Sequence, residues 1–197
     1  MKNLIAPHGS STLNPLFIED SIQRESLISS SNDMKKLLLN SAAAANVVML
    51  GAGYFTPLSG FMDKKNAISV ANDMLTTDGL FWPIPIINLT KDPSNIKIGD
   101  EVALLDPNMD GNPVMATQQV SAIEKFSDDE IKDMAEKIFG TIDTEHPGVA
   151  NFLSLGNTLV SGDIKVLNFS YFPNEFPGTF ATAPEIREML IKAGWSK

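Results

Sequence analysis

The sequence predicts an α+β fold, because it contains well-capped helical segments as well as short apolar strands. The two clearest helix starts are the capping boxes that pair Ser127 with Glu130 and Thr182 with Glu185. The clearest strand pair is residues 101–105 and 114–123, which flank a loop rich in Pro, Asn, Asp and Gly and are therefore predicted to form a hairpin. A length of 197 residues fits one large domain, or one domain with an appendage.

The first fifty residues are predicted to contain extended chain, a strand and two helices. Pro, Gly and an Asn-Pro pair indicate an irregular arm over residues 1–20. One helix is predicted within residues 21–34 and a short strand over residues 36–39. Ser41 is expected to cap a second, alanine-rich helix that runs to about Leu50, since Ala is the best helix former.

Further elements follow in the middle of the chain. Asp63 is predicted to cap a helix that ends at Gly79, and the helix after Ser127 is predicted to end at Gly140. Between them, residues 81–90 are apolar but carry two prolines, which favours an edge strand over a central one. The buried stripe predicted for the first of these helices is Ala67, Ile68, Ala71, Met74 and Leu75.

The last third of the chain is predicted to contain two strands, a linker and a helix. The strands are residues 149–155 and 158–169, and the Pro/Gly cluster 173–178 is the predicted linker. Thr182 begins the final helix, and Gly194 ends it. Its apolar residues recur at helical spacing: Ile186, Met189, Leu190 and Ala193. After Trp195 the chain is expected to lead into a further element that the 197 residues do not contain.

Composition describes an ordinary globular protein, with 43% hydrophobic and 20% charged residues. No cysteine occurs, so disulfides, cysteine-based zinc sites and thiol catalysis are excluded, and a reducing cytoplasm is the expected location. The sequence has no signal-peptide pattern and no apolar run long enough to span a bilayer. A net charge of −9, with 15 basic against 24 acidic residues, disfavours a nucleic-acid-binding face. We therefore expect neither a nucleic-acid nor a membrane partner.

A few residues could carry chemistry. His146 lies in a turn beside acidic residues, where it is a candidate general base or ligand, although a lone loop histidine is more often solvated or capping. His8 has less support. The loop 106–112 resembles a calcium loop, D-x-N-x-D-G-x, but its twelfth position is Thr117 in place of the bidentate glutamate. Turn residues needed for backbone geometry explain this loop better than calcium does.

Two other patterns have a structural and a functional interpretation. Gly51-Ala-Gly53 could begin a dinucleotide-binding fingerprint, but it follows a predicted helix and lacks the third glycine, so a helix end and turn are favoured. The sequence holds two arginines, Arg24 and Arg187. Arg187 lies on the predicted final helix.

Four blocks, in order, resemble the N-terminal domain of the sulfate adenylyltransferase (ATP sulfurylase) family. Residues 51–62, GAGYFTPLSGFM, are similar to the family block G-x-F-x-P-L-x-G-F-M, and residues 82–86, WPIPI, to its P-x-P-I strand. The hairpin around residues 100–116 is similar to a hairpin of the family barrel. Residues 168–197 resemble the segment that leads into the catalytic domain.

The resemblance implies a PUA-like mixed β-barrel decorated by about four helices. It places this barrel, with its N-terminal arm, at residues 1–172, and a linker and helix at 173–197 that lead to an absent catalytic domain. The parent reaction would be ATP + sulfate ⇌ adenylyl sulfate + diphosphate, with Mg²⁺ accompanying ATP. The family's catalytic signature, Q-T-R-N-P-x-H-R-A-H, does not occur here. No catalytic, cofactor-binding or metal-binding residue is therefore assigned.

On this basis the chain is expected to be inactive alone and to pack against the catalytic domain of the same enzyme, in an assembly that could be a homo-oligomer. The resemblance also implies a role for Arg187, a salt bridge across the border with that domain. Two alternatives remain open. One is a stand-alone PUA-like module that binds RNA or a small ligand, and the other is an oligomerisation domain.

Overall fold

The computed structural model describes residues 4–93 and 95–195. The start of the predicted arm, residues 1–3, and the predicted exit of the chain at residues 196–197 lie outside these ranges. The α-helices are α1 (Ser21–Ser30), α2 (Ser41–Gly51), α3 (Lys64–Asp73), α4 (Asp128–Phe139), α5 (Pro147–Ser154), α6 (Phe172–Glu175) and α7 (Ala183–Lys192). The strands are β1 (Lys35–Leu38), β2 (Gly60–Phe61), β3 (Leu89–Thr90), β4 (Glu101–Leu105), β5 (Val114–Gln119), β6 (Ala122–Lys125) and β7 (Thr158–Val166).

The strands form one mixed sheet in which β7 pairs with four other strands. Along the main path the order is β1-β4-β5-β7-β2, and β3 and β6 also pair with β7. The β1–β4 pair is parallel, whereas the pairs β4–β5 and β5–β7 are antiparallel. The sheet curls into a half-barrel, which confirms the predicted α+β, PUA-like architecture. The described ranges contain seven α-helices where about four were predicted.

Strand β7 pairs with two sets of neighbours, which change near Gly162. Its first half, residues 158–161, pairs with β6, and its second half, residues 164–166, pairs with β5. Gly162 has φ +142°, and a Cβ added there would overlap the carbonyl oxygen of Gln119. Gly60 of β2 lies against Gly162, since a Cβ added to Gly60 would overlap the Gly162 carbonyl oxygen. Both positions therefore need glycine so that the backbones can approach closely.

The hydrophobic core lies between the concave face of the sheet and the helices α2, α3 and α4. In β4, β5 and residues 159–162 of β7 several consecutive residues are buried, so both faces of these strands are covered, since successive side chains point to opposite faces. Helix α4 adds Ile131, Met134 and Ala135. The largest fully buried side chain is Phe126, which is 1% exposed. The principal aliphatic members are Leu50, Ile86, Leu104, Met115 and Leu159.

The start of α4 is fixed by the predicted capping box. The Ser127 backbone N–H donates to the Glu130 carboxylate at 2.7 Å, and the Glu130 N–H donates to Ser127 Oγ at 3.2 Å. Lys64 Nζ also donates to Glu130, at 2.8 Å, and it lies 5.0 Å from the centre of the Phe126 ring. The Lys64 ammonium and the Ser127 N–H together hold the pKa of Glu130 below its usual range.

We expect Glu130→Gln to lower the thermal midpoint near neutral pH. A carboxylate whose pKa is depressed in the folded state stabilises the protein above its ordinary pKa of about 4.3 and loses that contribution as pH falls through the folded-state value. The difference in thermal midpoint between wild type and variant should therefore shrink on acidification. Glu136→Gln, on the exposed side of α4, is the control. A difference that is constant from pH 7 to pH 3 would contradict the prediction.

The predicted strand over residues 149–155 is wrong, because this segment is helix α5. Its N-cap is His146, whose Nδ1 accepts from the N–H groups of Gly148 and Val149 at 3.2 and 3.4 Å. Pro147 occupies the first turn, where a missing N–H has no cost. The buried residues are Val149 and Phe152, three apart. Helical spacing therefore governs this short apolar run.

Several predicted boundaries also change. Of residues 81–90, only Leu89–Thr90 forms a strand, while Phe81 makes a single bridge to Leu75. Helix α3 ends at Asp73, before the predicted stop, because Met74 adopts the left-handed conformation with φ +53°. Met74 and Leu75 are consequently exposed, not buried.

The remaining differences are small. Asn40, not Ser41, caps α2: its side chain accepts from the Ala43 N–H at 2.9 Å. The short helix α6 (Phe172–Glu175) overlaps the first residues of the segment 173–178 predicted as a linker. The Asp63 cap of α3 and the Gly140 end of α4 are confirmed.

Candidate functional site

The C-terminal helix α7 is the candidate functional element. Its start is built as the sequence predicts, since the Glu185 carboxylate accepts from the Thr182 N–H at 2.7 Å and from the Thr182 hydroxyl at 2.8 Å. These two hydrogen bonds lower the pKa of Glu185. Pro184 lies in the first turn, and Gly194, with φ +73°, follows the helix end. The helix is therefore well defined by its own local interactions.

Most apolar side chains of α7 are not covered by the rest of the domain. Met189 is 56% exposed and Ile191 is 60% exposed, and Trp195 beyond the helix end is 62% exposed. Ala183 is the buried residue of the helix. Because these side chains lie on several sides of α7, the helix presents a large apolar surface with little packing beneath it.

Three hydrogen bonds hold α7 against the domain. The Ala183 N–H donates to the Ala52 carbonyl oxygen at 2.8 Å, and Tyr54 Oη donates to the Ala181 carbonyl oxygen at 2.8 Å. Arg187 Nη2 donates to the carbonyl oxygen of Ile5 in the N-terminal arm at 2.7 Å. These contacts join the start of α7 to the chain after α2, and its middle to the N-terminal arm. Within the described chain, Arg187 contacts backbone and forms no ion pair, so its predicted salt bridge across a domain border stays a prediction.

The two histidines have structural roles. His146 is the cap of α5, and its ring lies 5.5 Å from that of Phe139. His8 forms a 2.7 Å hydrogen bond through Nε2 to the Phe81 carbonyl oxygen and tilts against Trp82 with a ring separation of 6.1 Å. The two lie in different parts of the fold. The structure therefore does not bring them together as a pair of ligands or as an acid and a base.

The calcium-like loop is a turn. Asp106 Oδ1 accepts from the Asn108 N–H at 2.8 Å, and the Asn112 side-chain amide donates to the Asp106 carbonyl oxygen at 2.8 Å. Gly111 and Asn112 both have positive φ, which explains the Gly-Asn pair in the sequence. No cluster of three His, Asp or Glu side chains that could hold a metal ion occurs in residues 4–93 and 95–195.

The glycine pair Gly51 and Gly53 also has a structural role. Gly51 is the last residue of α2, and Gly53 has φ +82° in the turn that follows. The favoured interpretation, a helix end and turn, is thus what the structure shows. The other arginine, Arg24, donates to the carbonyl oxygens of Ile18 and Glu19 and lies 4.9 Å from the centre of the Phe17 ring. Both arginines of the chain therefore bind backbone carbonyls.

A model of the PUA-like domain matches residues 5–169. The chain belongs to the PUA-like domain family. A solved structure of the same fold is described as a hexameric APS kinase from Thiobacillus denitrificans, with a TM-score of 0.71 and 24% identity. That likeness covers 98% of this PUA-like chain and 32% of the other. It supports the fold alone.

The PUA-like chain is also similar to sulfate adenylyltransferases along its whole length. It is 50% identical to the Alcanivorax borkumensis enzyme over 196 residues, which cover 100% of the chain and 49% of that enzyme. Identity to the Allochromatium vinosum enzyme is 46%, over 98% of the chain and 49% of the enzyme. The chain thus spans about half the length of the curated relatives it matches, and it corresponds to their N-terminal half. The resemblance seen in the sequence is confirmed.

One feature of the site was not predicted from the sequence: Tyr54 connects α2 to the segment before α7. Burial raises the pKa of Tyr54, and the Glu185 carboxylate raises it further. Its sequence context, a tyrosine after a helix-ending glycine, gives no sign of a partner 127 positions away.

No helix within the described ranges is both long and apolar enough to span a membrane.

Proposed function

We propose that this chain is the N-terminal domain of a sulfate adenylyltransferase and that it positions a catalytic domain by packing against it. The observation that carries the proposal is the coverage: a relative 50% identical over the whole chain continues for about as many residues again. In this proposal residues 1–172 are the barrel domain with its arm, and residues 173–197 are the linker and helix that lead to the catalytic domain. The exposed apolar side chains of α7 support this division, because they need a partner.

The parent enzyme would convert ATP and sulfate to adenylyl sulfate and diphosphate, in sulfate assimilation or in sulfur oxidation, with Mg²⁺ bound to the nucleotide. This nucleotidyl transfer needs cations that offset the charge on the phosphates. In the described chain both guanidinium groups donate to backbone carbonyls. We therefore propose that this chain contributes no catalytic, cofactor-binding or metal-binding residue.

The proposed partners are the catalytic domain of the same polypeptide and further copies of it in a homo-oligomer. Exposed apolar side chains on several sides of α7 support contacts with more than one neighbour. The net charge of −9 argues against nucleic acid as a partner. The cytoplasm is the proposed location, which the absence of cysteine in the sequence fits.

Activity assays with and without a catalytic half test the proposal. The 197-residue chain, given adenylyl sulfate and diphosphate, is expected to form no ATP above the rate without protein. Joining residue 197 to the second half of the Alcanivorax borkumensis enzyme is expected to restore ATP formation. The second half alone is the matched control, and it should be at least about tenfold less active than the chimera, a loss of about 1.4 kcal/mol in transition-state stabilisation. Enzyme-like turnover by the 197-residue chain would refute the proposal.

A further inference from the structure

Two apolar cavities open on either side of Tyr54. The first, of about 310 Å³, is bounded by the aromatic rings of His8, Phe55, Phe81 and Trp82. The second, of about 350 Å³, lies between α2 and the rings of Phe172, Phe176 and Phe180. The Tyr54 side chain lines both of them. The two cavities and the residues around them thus form one surface, which we call the aromatic surface.

The aromatic surface is exposed in this chain. Phe81 is 54% exposed, Phe176 is 46% exposed and Tyr54 is 42% exposed. Its rings are already arranged in pairs: Phe55 lies edge-on to Trp82 with centroids 5.9 Å apart, and Phe172 lies 6.2 Å from Phe176. Large, rigid aromatic side chains around concave pockets are typical of the energetic centre of a protein interface.

The chemistry of the cavities indicates what binds there. No Asp, Glu, Lys or Arg of the described ranges lines either cavity. A nucleic acid or a phosphorylated ligand would need a cation beside the rings, so stacking alone would not hold it. Apolar side chains of a protein fit this lining, because they lose water without leaving a charge unpaired.

The aromatic surface is continuous with the contacts of α7. Tyr54 donates its hydroxyl hydrogen to the Ala181 carbonyl oxygen, one residue before the cap of α7. A body that packs on α7 therefore lies next to the second cavity. Since the relatives have about as many residues beyond the matched half, the chain that follows α7 in them is long enough to form such a body.

We propose that the aromatic surface receives apolar side chains from the catalytic half of the same polypeptide, so that the domain border extends from α7 across Tyr54 to Phe81. This inference rests on the proposed function, because it takes the catalytic half as the occupant. A second copy of this chain is the competing occupant.

A comparison of Phe81→Ser in two proteins tests the inference. In the 197-residue chain Phe81 is half exposed, so the substitution is expected to change the thermal midpoint by less than about 2 °C. In the chimera with the Alcanivorax borkumensis second half, it is expected to lower the midpoint of the transition that includes the border by about 4 °C or more. Ile98→Ser is the matched control, since Ile98 is 66% exposed and lies in the turn before β4, outside both cavities. It should leave both proteins unchanged.

The outcomes separate this inference from the proposed function. An active chimera in which Phe81→Ser has no larger effect than in the short chain overturns the aromatic surface alone. An inactive chimera with the expected stability loss contradicts the proposed activity and supports the surface. Sedimentation of the 197-residue chain is the second measurement and needs no chimera. A dimer that Phe81→Ser dissociates would assign the surface to a second copy and overturn the inference.

Discussion

Replacing Gly162 by alanine is expected to prevent the chain from reaching its native fold, or to cost at least about 2 kcal/mol of unfolding free energy. The new methyl group would overlap the Gln119 carbonyl oxygen, and φ +142° is a conformation that L-residues rarely adopt. Overpacking costs about 1–3 kcal/mol and backbone strain adds about 1–3 kcal/mol. Neither group can move away easily, because the methyl group is fixed directly to the β7 backbone and the oxygen belongs to the β5 backbone.

Urea unfolding followed by far-ultraviolet circular dichroism measures the effect. Gly60→Ala is expected to behave similarly, because its methyl group would overlap the Gly162 carbonyl oxygen. Gly178→Ala is the control, since no atom lies within 4 Å of its added Cβ. A Gly162→Ala protein as stable as the Gly178→Ala protein would show that position 162 of β7 does not require glycine.

The second large effect is expected from Phe126→Ala, at about 3–5 kcal/mol of unfolding free energy. Phe126 is enclosed by the core, so its removal leaves a cavity as well as losing buried apolar surface. The substitution also removes the ring beneath the Lys64 ammonium. Because Lys64 binds Glu130, the first turn of α4 is expected to loosen together with the core.

Phe176→Ala is the matched control for this prediction. It removes the same atoms from a side chain that is nearly half exposed, so it should cost about 0.5 kcal/mol or less in this chain. Urea unfolding of both variants gives the comparison. Equal losses would mean that Phe126 is less enclosed, or Phe176 more enclosed, than the structure shows.

The parts of the fold that depend on local interactions were predictable. Ser127 with Glu130 and Thr182 with Glu185 each fix a helix start within four residues, and both helices begin where the sequence places them. Residues 149–155 were not predictable in this way, because seven apolar-rich residues fit a strand or a helix equally well. The decisive cap, His146, is not among the residues that usually begin helices.

Of the candidate site, only helix α7 could be predicted from the sequence. The capped apolar pattern of α7 indicates a helix with a partner, and the resemblance indicated which partner. The aromatic surface depends instead on tertiary contacts: Tyr54 meets Ala181 and His8 meets Phe81 across 127 and 73 positions of sequence. The hydrophobic pattern of a single segment does not reveal such long-range pairings. The sequence shows that the residues around Trp82 are apolar, but not which residues they contact.

The pairing of β7 with four other strands has a consequence for biosynthesis. Four strands made earlier, β2, β3, β5 and β6, pair with β7, whose residues 158–166 lie close to the end of the domain. Until β7 has been synthesised, β2, β3 and β6 lack the strand with which they pair, whereas β5 can already pair with β4. We expect the half-barrel to close abruptly once β7 has left the exit tunnel, onto early helices such as α2 and the paired strands β1, β4 and β5.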